Sequence, residues 1–546
     1  MQLLCNKYLL LFTAVIFFSA CSSKKENIAF DPKNGGLYLP DGFGAVVVVD
    51  SIGPSRHLAV KENGDIYVKL KITSDAPGSV ALRDENGDGK ADIIQPFGNY
   101  LNDGIFATGM RIYNGYLYYS TEKVVYRQKL DNQLVPTSKQ EIVLMDESEQ
   151  WHIAKPLSFD KEGNMYVPYS APSNACASYI NANGTSVGQA GQNPCPELNS
   201  HAGIWKFNAN KLNQTQQDGI QIGTGLRSIV AMDWNTNTNK LYAVQHGRDD
   251  LHLLWPNLYS AWDNAVNPAE ELFEISEGKN YGWPYSYFDL HTQQKMQAPE
   301  YGGDGKKAAT NKTFTNPLVA LPAHWAPNDL LFYKGNQFPE RYKDGAFIAF
   351  HGSTNRGPYP QAGYIVAFVP FKNGKVSGDW EVFADGFAGV DTIVNVSDAK
   401  YRPMGLAEGP DGSLYINDSR KGKIWRILYK GDKTKFNTSA LAKMDQRKNN
   451  ATNIKTPDPI KDIIEIKYSK LGEKIYQTNC NNCHQANLNG DGNRYPSIIK
   501  SNYLNDQSSF RNLVSNGKGN MPAFKNITDQ EIKELQTYIQ SVISKK

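Results

Sequence analysis

Two cysteines and a histidine stand close together near the end of the chain, in Cys480-Asn-Asn-Cys483-His484. C-x-x-C-H is the attachment signature of a c-type haem, because two thiols on one turn of backbone can each add to a haem vinyl group. His484 would then bind one face of the iron. A zinc site would want a second pair of ligands downstream, and no cysteine follows Cys483. The motif therefore predicts a covalently bound haem c.

The second axial ligand of such a haem should be a soft donor further along the chain. Gly519-Asn-Met521-Pro-Ala supplies a thioether 37 residues after His484. A lone methionine is more often core filler, but a methionine before proline in a glycine-rich loop is a poor core position. We therefore predict Met521 as the distal ligand, and His/Met ligation indicates electron transfer.

Oxygen-bearing side chains are spaced near residue 90 as in the first part of an EF-hand loop, with glycine at the sharp turn. Gln95 stands at the twelfth position, where a bidentate glutamate is usual, and no flanking helices are indicated. A polar hairpin turn is the alternative. The predicted calcium ligands are Asp84, Asn86, Asp88 and Asp92.

A local pattern recurs from about residue 33 to residue 430: a turn rich in Gly, Asn or Asp, then an alternating strand that begins with an aromatic. Each copy is a β-hairpin signal. Six copies at intervals of roughly 50 to 100 residues predict an all-β, six-bladed propeller rather than a sandwich. The wide gap between the fourth and fifth copies predicts long insertions. The aromatic residues are Tyr67, Tyr118, Tyr166, Tyr242, Phe347 and Tyr415.

Cationic side chains stand at similar places beside four of these hairpins. His152 precedes the third hairpin, Arg227 the fourth and Arg402 the sixth, while Arg356 follows the fifth. Taken singly, such a histidine is more often structural and such an arginine more often pairs at the surface. At the inner start of a blade strand, however, they would point into the central channel, and converging cations favour a polyanionic ligand.

The repeat stops between residues 431 and 464, where Lys, Asn, Asp and Thr dominate and Pro457 and Pro459 would break a helix. This segment is predicted to be a linker that follows a propeller spanning residues 35–430.

The last segment, 465–546, is predicted to be a small all-α domain. Residues 469–477 favour a helix, and Thr528-Asp-Gln-Glu531 is a capping box that opens a second helix with an apolar stripe. Gly472 would let the two helices approach closely. The segment resembles a class I cytochrome c in size and in the way it would close around a haem.

The first 20 residues are predicted to be a signal peptide. Lys7 precedes an apolar run, residues 8–18, that is too short to span a bilayer as a helix. The run ends in Phe18-Ser-Ala-Cys21, which resembles a bacterial lipoprotein cleavage box. We therefore expect Cys21 to be lipidated, residues 21–34 to form a tether, and the protein to be exported and held at the periplasmic side of a membrane or at the cell surface.

The two remaining cysteines of the exported part, Cys176 and Cys195, are expected to form a disulfide. Closing a loop of this length would stabilise the fold by about 3 kcal/mol. The formal net charge of +3 is too small to favour nucleic acid as a partner.

The propeller resembles the soluble dehydrogenases of sugars that depend on pyrroloquinoline quinone (PQQ), in particular the sorbosone dehydrogenase-like branch. The resemblance covers roughly residues 35–430. The stretches that carry it are Val80-Ala-Leu-Arg-Asp84-Glu-Asn-Gly-Asp, Gly225-Leu-Arg227, His246-Gly-Arg248-Asp249, Asn280-Tyr-Gly-Trp-Pro284, His351-Gly-Ser-Thr-Asn355-Arg356 and Tyr401-Arg402-Pro-Met-Gly-Leu406.

This resemblance implies two catalytic residues. His152 falls at the family's general base, which takes the proton of the substrate hydroxyl as hydride leaves for the quinone. Arg227 falls beside the quinone carbonyl, where it would stabilise developing negative charge. The residues after His152, Ile-Ala-Lys-Pro, differ from the sugar-oxidising branch.

The resemblance also implies a cofactor site. Arg356, Arg402 and Lys400 fall where the family binds the PQQ carboxylates. The carbonyls of Gly247 and Arg248 would hold a calcium ion that polarises the quinone.

Together these features predict a membrane-anchored quinohaemoprotein. It would oxidise an aldose or a sorbosone-like aldehyde through PQQ, and the haem would pass electrons to a respiratory cytochrome or quinone pool. The alternative is a non-redox propeller, carbohydrate-binding or lactonase-like, that carries an electron-transfer cytochrome. The haem argues against a lactonase, because hydrolysis has no electrons to export.

Overall fold

The structure is a computed structural model that describes residues 28–71, 77–98, 108–146, 148, 153–177, 187–464, 469–490, 495–519 and 521–544. The predicted signal peptide and lipidation site, Cys21, lie outside these residues.

Six β-sheets in the described part of the chain form the blades of a propeller. The first strand, β1 (Phe43–Val49), belongs to the last blade. Blade 1 contains β2 (Ser55–Val60), β3 (Ile66–Leu70), β4 (Ser79–Arg83) and β5 (Ile93–Phe97). Blade 2 contains β6 (Met110–Tyr113), β7 (Tyr116–Ser120), β8 (Val124–Lys129) and β9 (Glu141–Met145). Blade 3 contains β10 (Ser158–Phe159), β11 (Asn164–Tyr169), β12 (Gly203–Asn208) and β13 (Ile220–Thr224).

The other three blades follow the same order. Blade 4 contains β14 (Ile229–Asn235), β15 (Lys240–Gln245) and β16 (Glu270–Ile275), with β20 (Val319–Leu321) outermost. Blade 5 contains β21 (Pro327–Phe332), β22 (Ala346–Phe350) and β23 (Ile365–Val369), with β26 (Glu381–Ala384) outermost. Blade 6 contains β27 (Pro403–Glu408), β28 (Leu414–Asp418) and β29 (Ile424–Tyr429), and β1 completes it.

Blade 6 closes the ring with a strand from the opposite end of the propeller sequence. β1 pairs antiparallel with β29, with Phe43 opposite Tyr429 and Val46 opposite Arg426. Closure of this kind leaves only short, protected strand edges. The first strands of neighbouring blades lie against one another around the axis, as β27 does against β2 and β14 against β21.

The repeated aromatic residue lies on the second strand of each blade and packs against the next blade. Tyr67 of blade 1 joins a buried cluster with Tyr119 of blade 2, and Tyr242 of blade 4 joins one with Leu330 of blade 5. The hydrophobic core is therefore divided among the interfaces between blades. This confirms the prediction of six blades from six hairpin signals.

The insertion predicted between the fourth and fifth hairpins contains short elements. They are α1 (Leu251–Leu254), α2 (Ala261–Val266), β17 (Lys279–Asn280), which extends blade 3, and the hairpin of β18 (Ser286–Asp289) and β19 (Gln294–Gln297). A further hairpin of β24 (Phe371–Lys372) and β25 (Lys375–Val376) lies in blade 5. The 3-10 helices are Pro32–Gly36, Pro196–Asn199, Gln216–Asp218, Pro299–Tyr301, Glu340–Tyr342, Val396–Asp398, Lys433–Lys435, Thr438–Leu441 and Asn502–Asn505.

The predicted linker is packed against the propeller. It contains α3 (Ala442–Asn450), which lies on β26. Met444 and Ile454 are buried in the core shared by blades 4 and 5. These apolar residues hold the segment on the propeller. Its mostly polar composition did not indicate this packing.

The haem domain contains α4 (Lys470–Asn479), α5 (Asn481–His484), α6 (Gln507–Asn516) and α7 (Asp529–Ser544). α4 packs against α7, and a Cβ added at Gly472 would lie 2.0 Å from the carbonyl oxygen of Glu534. The predicted close approach at this glycine is thus present. Thr528 and Glu531 form the expected capping box at the start of α7.

No helix among the described residues combines the length and the apolar character needed to cross a membrane.

Cys176 and Cys195 form a disulfide with a Cα–Cα distance of 6.0 Å, as predicted. The bridge lies in a buried cluster with Trp283, a residue of the insertion that follows blade 4.

Candidate active site and haem site

A cavity of about 370 Å³ lies at the centre of the ring. Every blade contributes to it through residues at or near the start of its first strand, so the cavity exists only when the ring is closed. The contributors, in blade order, are Arg56, Thr108, Ile153, Arg227, Ala326 and Met404.

Arg227 is held rigidly in the wall of this cavity. Its Nη1 donates to the carbonyl oxygen of Gly247 at 2.7 Å, and its Nη2 contacts Oδ2 of Asp249 at 2.8 Å. Its backbone N–H donates to the side-chain oxygen of Gln245 at 2.8 Å. The side chain is 1% exposed. A fixed cation in a desolvated wall can stabilise negative charge that develops on a bound molecule.

Three more arginines gather beside this cavity without a carboxylate partner among the described residues. Arg402 donates to the carbonyl oxygens of His351 at 3.0 Å and Gly352 at 2.5 Å. Arg356 is 3% exposed, and its Nε has no hydrogen-bond partner in the described part of the chain. Within the described residues, the side chain of Arg56 has a hydrogen bond to the sulfur of Met404, at 3.7 Å.

Burial is costly for these guanidinium groups. It lowers the pKa of Arg356 to about 10, and together with the charge of Arg402 it lowers the pKa of Arg56 to about 10. All three remain cationic at neutral pH. Arginine forks match carboxylates in geometry, so the cluster fits a ligand with several carboxylates, such as PQQ.

Arg56 does not belong to the residues predicted from the sequence. It lies on β2 at the start of blade 1, and Arg402 lies next to β27 at the start of blade 6. The rule that singled out Arg402, a cation just before a repeated hairpin, would also have found Arg56.

Lys400 does not join this cluster. It is exposed, and its Nζ lies 5.2 Å above the ring of Tyr401. Arg402, two residues further on, turns inward instead.

His152 lies outside the described residues, so its predicted role as general base stays a prediction. The two residues that follow it, Ile153 and Ala154, line the cavity.

A second histidine, His324, lines the same cavity but is held as a proton donor. Its Nε2 lies 2.7 Å from the carbonyl oxygen of Asn264, an atom that only accepts, and its Nδ1 lies 3.5 Å from Oδ1 of Asp249. Burial alone would lower the pKa of His324, but the hydrogen bond and charge of Asp249 outweigh it and raise that pKa. Because each of its ring nitrogens faces an acceptor, His324 is poorly placed to accept a proton.

His246 and His351 also line the cavity and are neutral. Burial lowers the pKa of His246 to about 4, and burial with the charges of Arg402 and Arg56 lowers the pKa of His351. The Nε2 of His246 donates to the carbonyl oxygen of Pro327 at 2.7 Å, which fixes its tautomer.

One of the two carbonyls predicted to bind calcium beside the quinone already accepts a hydrogen bond. The Gly247 carbonyl accepts from Arg227, while the side chain of Arg248 turns away from the cavity to pair with Glu300. Calcium binding by the carbonyls of Gly247 and Arg248 stays a prediction.

The predicted calcium loop in blade 1 is closed by its own hydrogen bonds. The carboxylate of Asp84 accepts from the N–H groups of Gly87 and Gly89, at 2.8 and 2.7 Å. Asp92 accepts from the backbone of Glu85 and from both the backbone and the side chain of Asn86, while Asp88 accepts from the backbone of Lys90. These bonds fit the alternative, a polar hairpin turn, and calcium binding by this loop stays a prediction. Among the described residues, no group of three or more acidic, His or Cys side chains is arranged to hold a metal ion.

The haem ligands in the C-terminal domain are arranged as the motif predicts. Cys480 and Cys483 lie on one turn at α5 and form no disulfide. The Nδ1 of His484 lies 3.0 Å from the carbonyl oxygen of Pro496. Because a carbonyl only accepts, Nδ1 carries the proton and Nε2 is left with a lone pair for iron. The site fits a haem.

Met521 lies on a tight loop beside the same core. Its N–H donates to the carbonyl oxygen of Lys518, and the N–H of Lys518 donates to Met521 in return. Its side chain packs, half-buried, against the apolar cluster that Cys480 also touches. Gly517 has a φ of +72°, and a Cβ there would lie 2.4 Å from the Met521 carbonyl oxygen. Glycine is therefore required for this loop to turn.

Comparison with known proteins agrees with this architecture. A pyrroloquinoline quinone-dependent pyranose dehydrogenase of Coprinopsis cinerea is 25% identical over 285 residues, which are 46% of this chain and 38% of that protein. The holo form of the PQQ domain of pyranose dehydrogenase from Coprinopsis cinerea superposes with a TM-score of 0.55 at 16% identity, covering 72% of this chain and 97% of that one. A cytochrome c6 of Gloeothece citriformis is 33% identical over 72 residues, 12% of this chain and 66% of that protein.

The fold and the two sites thus define a six-bladed propeller joined to a cytochrome c domain. Residues 37–430 match the TrAA12-like family, and the chain belongs to that family. Residues 469–539 match the family described as cytochrome C oxidase, cbb3-type, subunit III. The chain spans 38% of the length of the curated pyranose dehydrogenase that it matches.

Proposed function

We propose that this protein is a PQQ-dependent sugar dehydrogenase that passes electrons to its own haem c. The arginine cluster supports this most directly. Arg56, Arg356 and Arg402 are cations beside a central cavity with no carboxylate partner in the described part of the chain. Such a costly arrangement is expected where a polyanionic cofactor supplies the missing charge.

When bound, PQQ supplies a two-electron acceptor for hydride. The chain's own residues would do the rest of the work. Arg56, Arg356 and Arg402 would bind the carboxylates of the cofactor. Arg227, fixed by Gly247 and Asp249, would face the negative charge that develops as hydride leaves the sugar.

We propose His152 as the group that accepts the proton of the sugar hydroxyl. Its neighbours Ile153 and Ala154 line the cavity, which supports a place for it there. His324 is the other histidine considered for this role, but both of its ring nitrogens face acceptors. A general base needs a free lone pair directed at the substrate.

The substrate class that we propose is an aldose or a sorbosone-like aldehyde, with calcium as an additional cofactor of the quinone. We further propose that the protein is an exported lipoprotein anchored through Cys21, and that its haem delivers electrons to a respiratory cytochrome or quinone pool. The disulfide between Cys176 and Cys195 supports an oxidising compartment.

Reduction of the haem by sugar tests this proposal. Purified protein is incubated with PQQ and Ca²⁺, a panel of aldoses is added, and the haem absorbance is followed. We expect reduction that depends on both PQQ and sugar. If dithionite reduces the haem while no sugar does so at saturating PQQ, the proposed activity is wrong.

A further inference from the structure

Tyr364 is a fully buried tyrosine whose hydroxyl has no hydrogen-bond partner in the described part of the chain. It lies directly before β23 in blade 5. A hydroxyl that is removed from water without gaining a partner destabilises the folded protein, and such groups are uncommon in native structures. None of the roles proposed for the cavity residues uses this hydroxyl, so a partner for it has to be sought outside the protein.

The backbone of Tyr364 has an uncommon conformation. Its φ is +59°, in the left-handed region, which a bulky side chain rarely adopts. The residue before it, Gly363, is held by Asn453, which accepts the Gly363 N–H at 2.9 Å and donates from its side chain to the Gly363 carbonyl oxygen at 3.1 Å. Backbone strain of this kind persists only where the surrounding structure holds it, and it is concentrated at ligand sites.

The hydroxyl end of Tyr364 lies against Gly352, next to the wall of the central cavity. A Cβ added at Gly352 would lie 2.4 Å from Cε2 and from Cζ of the Tyr364 ring, and Cζ is the atom that bears the hydroxyl. The residues on either side of Gly352, His351 and Ser353, both line the cavity. The unpartnered hydroxyl therefore belongs to the surroundings of the cavity.

The guanidinium group of Arg402 reaches the same glycine. Its Nη2 donates to the carbonyl oxygen of Gly352 at 2.5 Å, and its Cζ lies 5.7 Å from the centroid of the Tyr364 ring. A guanidinium group only donates, so Arg402 offers the hydroxyl no acceptor. Burial raises the pKa of Tyr364, so the hydroxyl keeps its proton at neutral pH and can donate. An anionic oxygen would satisfy the hydroxyl and the cation together.

We propose that Tyr364 is a further binding residue of the cofactor site, and that its hydroxyl donates to the same PQQ carboxylate that Arg402 binds. This rests on the proposed function, because it takes PQQ as the ligand. A carboxylate accepts hydrogen bonds from a hydroxyl and from a guanidinium group at once, and bonds to an ionised acceptor are stronger than those between neutral groups. Without the cofactor, the protein contains a buried donor without an acceptor beside cations without a carboxylate.

Tyr364→Phe tests the proposal, because it removes only the hydroxyl. We expect PQQ to bind the full-length haem protein about 10-fold more weakly in a fluorescence titration, the loss of one hydrogen bond to a charged group. The melting temperature of the cofactor-free protein should rise, because a buried hydroxyl without a partner is removed. An unchanged PQQ affinity, or a fall in the melting temperature, would overturn the proposal.

Tyr342→Phe is the matched control. The hydroxyl of Tyr342 is also buried without a partner among the described residues, but its ring packs in the core of blades 5 and 6, with Phe43 and Phe383 among its neighbours. This substitution should also raise the melting temperature and should leave PQQ affinity unchanged. Equal losses of affinity in the two variants would reject a specific contact at Tyr364.

The variant that combines Tyr364→Phe with Arg402→Met tests whether the two side chains bind one carboxylate. Groups that share a partner are not additive in their effects. The double variant should therefore bind PQQ more tightly than the product of the two single losses predicts. Losses that simply multiply would contradict a shared carboxylate.

The two proposals fail in different ways. Equal PQQ affinity in Tyr364→Phe and the parental protein would reject the role of Tyr364 and leave the dehydrogenase untouched. A loss of affinity specific to Tyr364→Phe, together with a haem that no sugar reduces, would keep the role of Tyr364 and reject the dehydrogenase. A parental protein that binds no PQQ would reject both.

Discussion

The haem site and the propeller cavity are built in opposite ways. Three of the four residues at the haem lie within five positions, Cys480 to His484, and one turn of backbone brings them together. The cavity takes its lining from all six blades, from Arg56 in the first to Met404 in the last. A local motif therefore defines the first site before any tertiary structure forms, whereas the second depends on ring closure.

The two sites also differ in how far their side chains destabilise the folded protein when no cofactor is bound. At the haem site the cofactor-binding groups are two thiols and an imidazole, and the imidazole of His484 contacts the carbonyl oxygen of Pro496. Beside the cavity, burial opposes the charge of Arg356, which no carboxylate among the described residues offsets. We infer that the cofactor of the haem domain is held by covalent bonds. The cofactor of the propeller is held by buried charges, which destabilise the fold when the cofactor is absent.

The largest expected effect comes from breaking the local motif. Cys480→Ser combined with Cys483→Ser should remove covalent haem entirely, because no other thiol can add to the vinyl groups at this site. Haem staining after denaturing electrophoresis measures this. PQQ binding, followed by fluorescence titration, should be unchanged since the cavity lies in another domain. Haem that stays covalently attached would refute the assignment.

The next largest effect concerns the proton acceptor. His152→Ala should retain PQQ, whose carboxylates other residues hold, but should lower turnover by roughly 10²–10⁴-fold. Steady-state kinetics at saturating PQQ measure this. Parental turnover with PQQ bound would show that His152 is structural. His324→Asn is a useful companion, because it removes the other histidine considered for this role.

A smaller effect is expected for the arginine cluster, since several cations share the ligand. Arg356→Met should weaken PQQ binding about 10- to 100-fold, the loss of one charge-assisted hydrogen-bonding partner. It should also raise the melting temperature of the cofactor-free protein, because it removes a buried cation without a carboxylate partner. Arg341→Met, whose arginine pairs with Glu381, is the control and should not stabilise. A fall in both quantities for Arg356→Met would indicate a structural arginine.

The smallest effect lies in the pH dependence of stability. Burial lowers the pKa of His57, which is fully buried, to about 4, below its value of about 6.5 in the unfolded chain. Between these values the unfolded chain binds a proton that the folded chain excludes, so stability is lost as pH falls. This contributes about 2 kcal/mol between pH 7 and pH 5.

His57→Gln should remove that contribution, because glutamine can still donate to the carbonyl oxygen that His57 contacts, that of Asn328, at 2.7 Å in the parent protein. The melting temperature should then fall less between pH 7 and pH 5 than in the parental protein. His291→Gln, at an exposed position, is the control and should keep the parental slope. Equal slopes in all three proteins would contradict a titration at His57.

The sequence predicted most of what depends on local rules. One hairpin signal per blade gave the six blades, because the aromatic after each turn packs across to the next blade. The close approach at Gly472 follows from the lack of a Cβ, and the prediction of the disulfide rests on the expected export of the protein. Each of these needs only a few neighbouring residues or one pairing.

The features that the sequence could not predict depend on where side chains point in the folded protein. Arg248 and Lys400 lie beside cavity residues along the chain, but their side chains turn to Glu300 and to solvent. The contacts of Asp249 with Arg227 and with His324 join blade 4 to the start of blade 5. Residues 442–464 have the polar composition of a linker, but the buried Met444, Ile454 and Pro457 and a series of hydrogen bonds hold them on the propeller.

Closure of the ring by β1 has a consequence for how the protein is made. Synthesis begins at the N-terminus, so Phe43–Val49 emerges before every other described strand, while its partner Ile424–Tyr429 emerges only after the other five blades. Until then this apolar, valine-rich strand has no neighbour at its final register, and an unpaired strand of that kind is a template for association between molecules. Among the described strands, the first to leave the ribosome thus waits longest for its partner and is the one most exposed to such association.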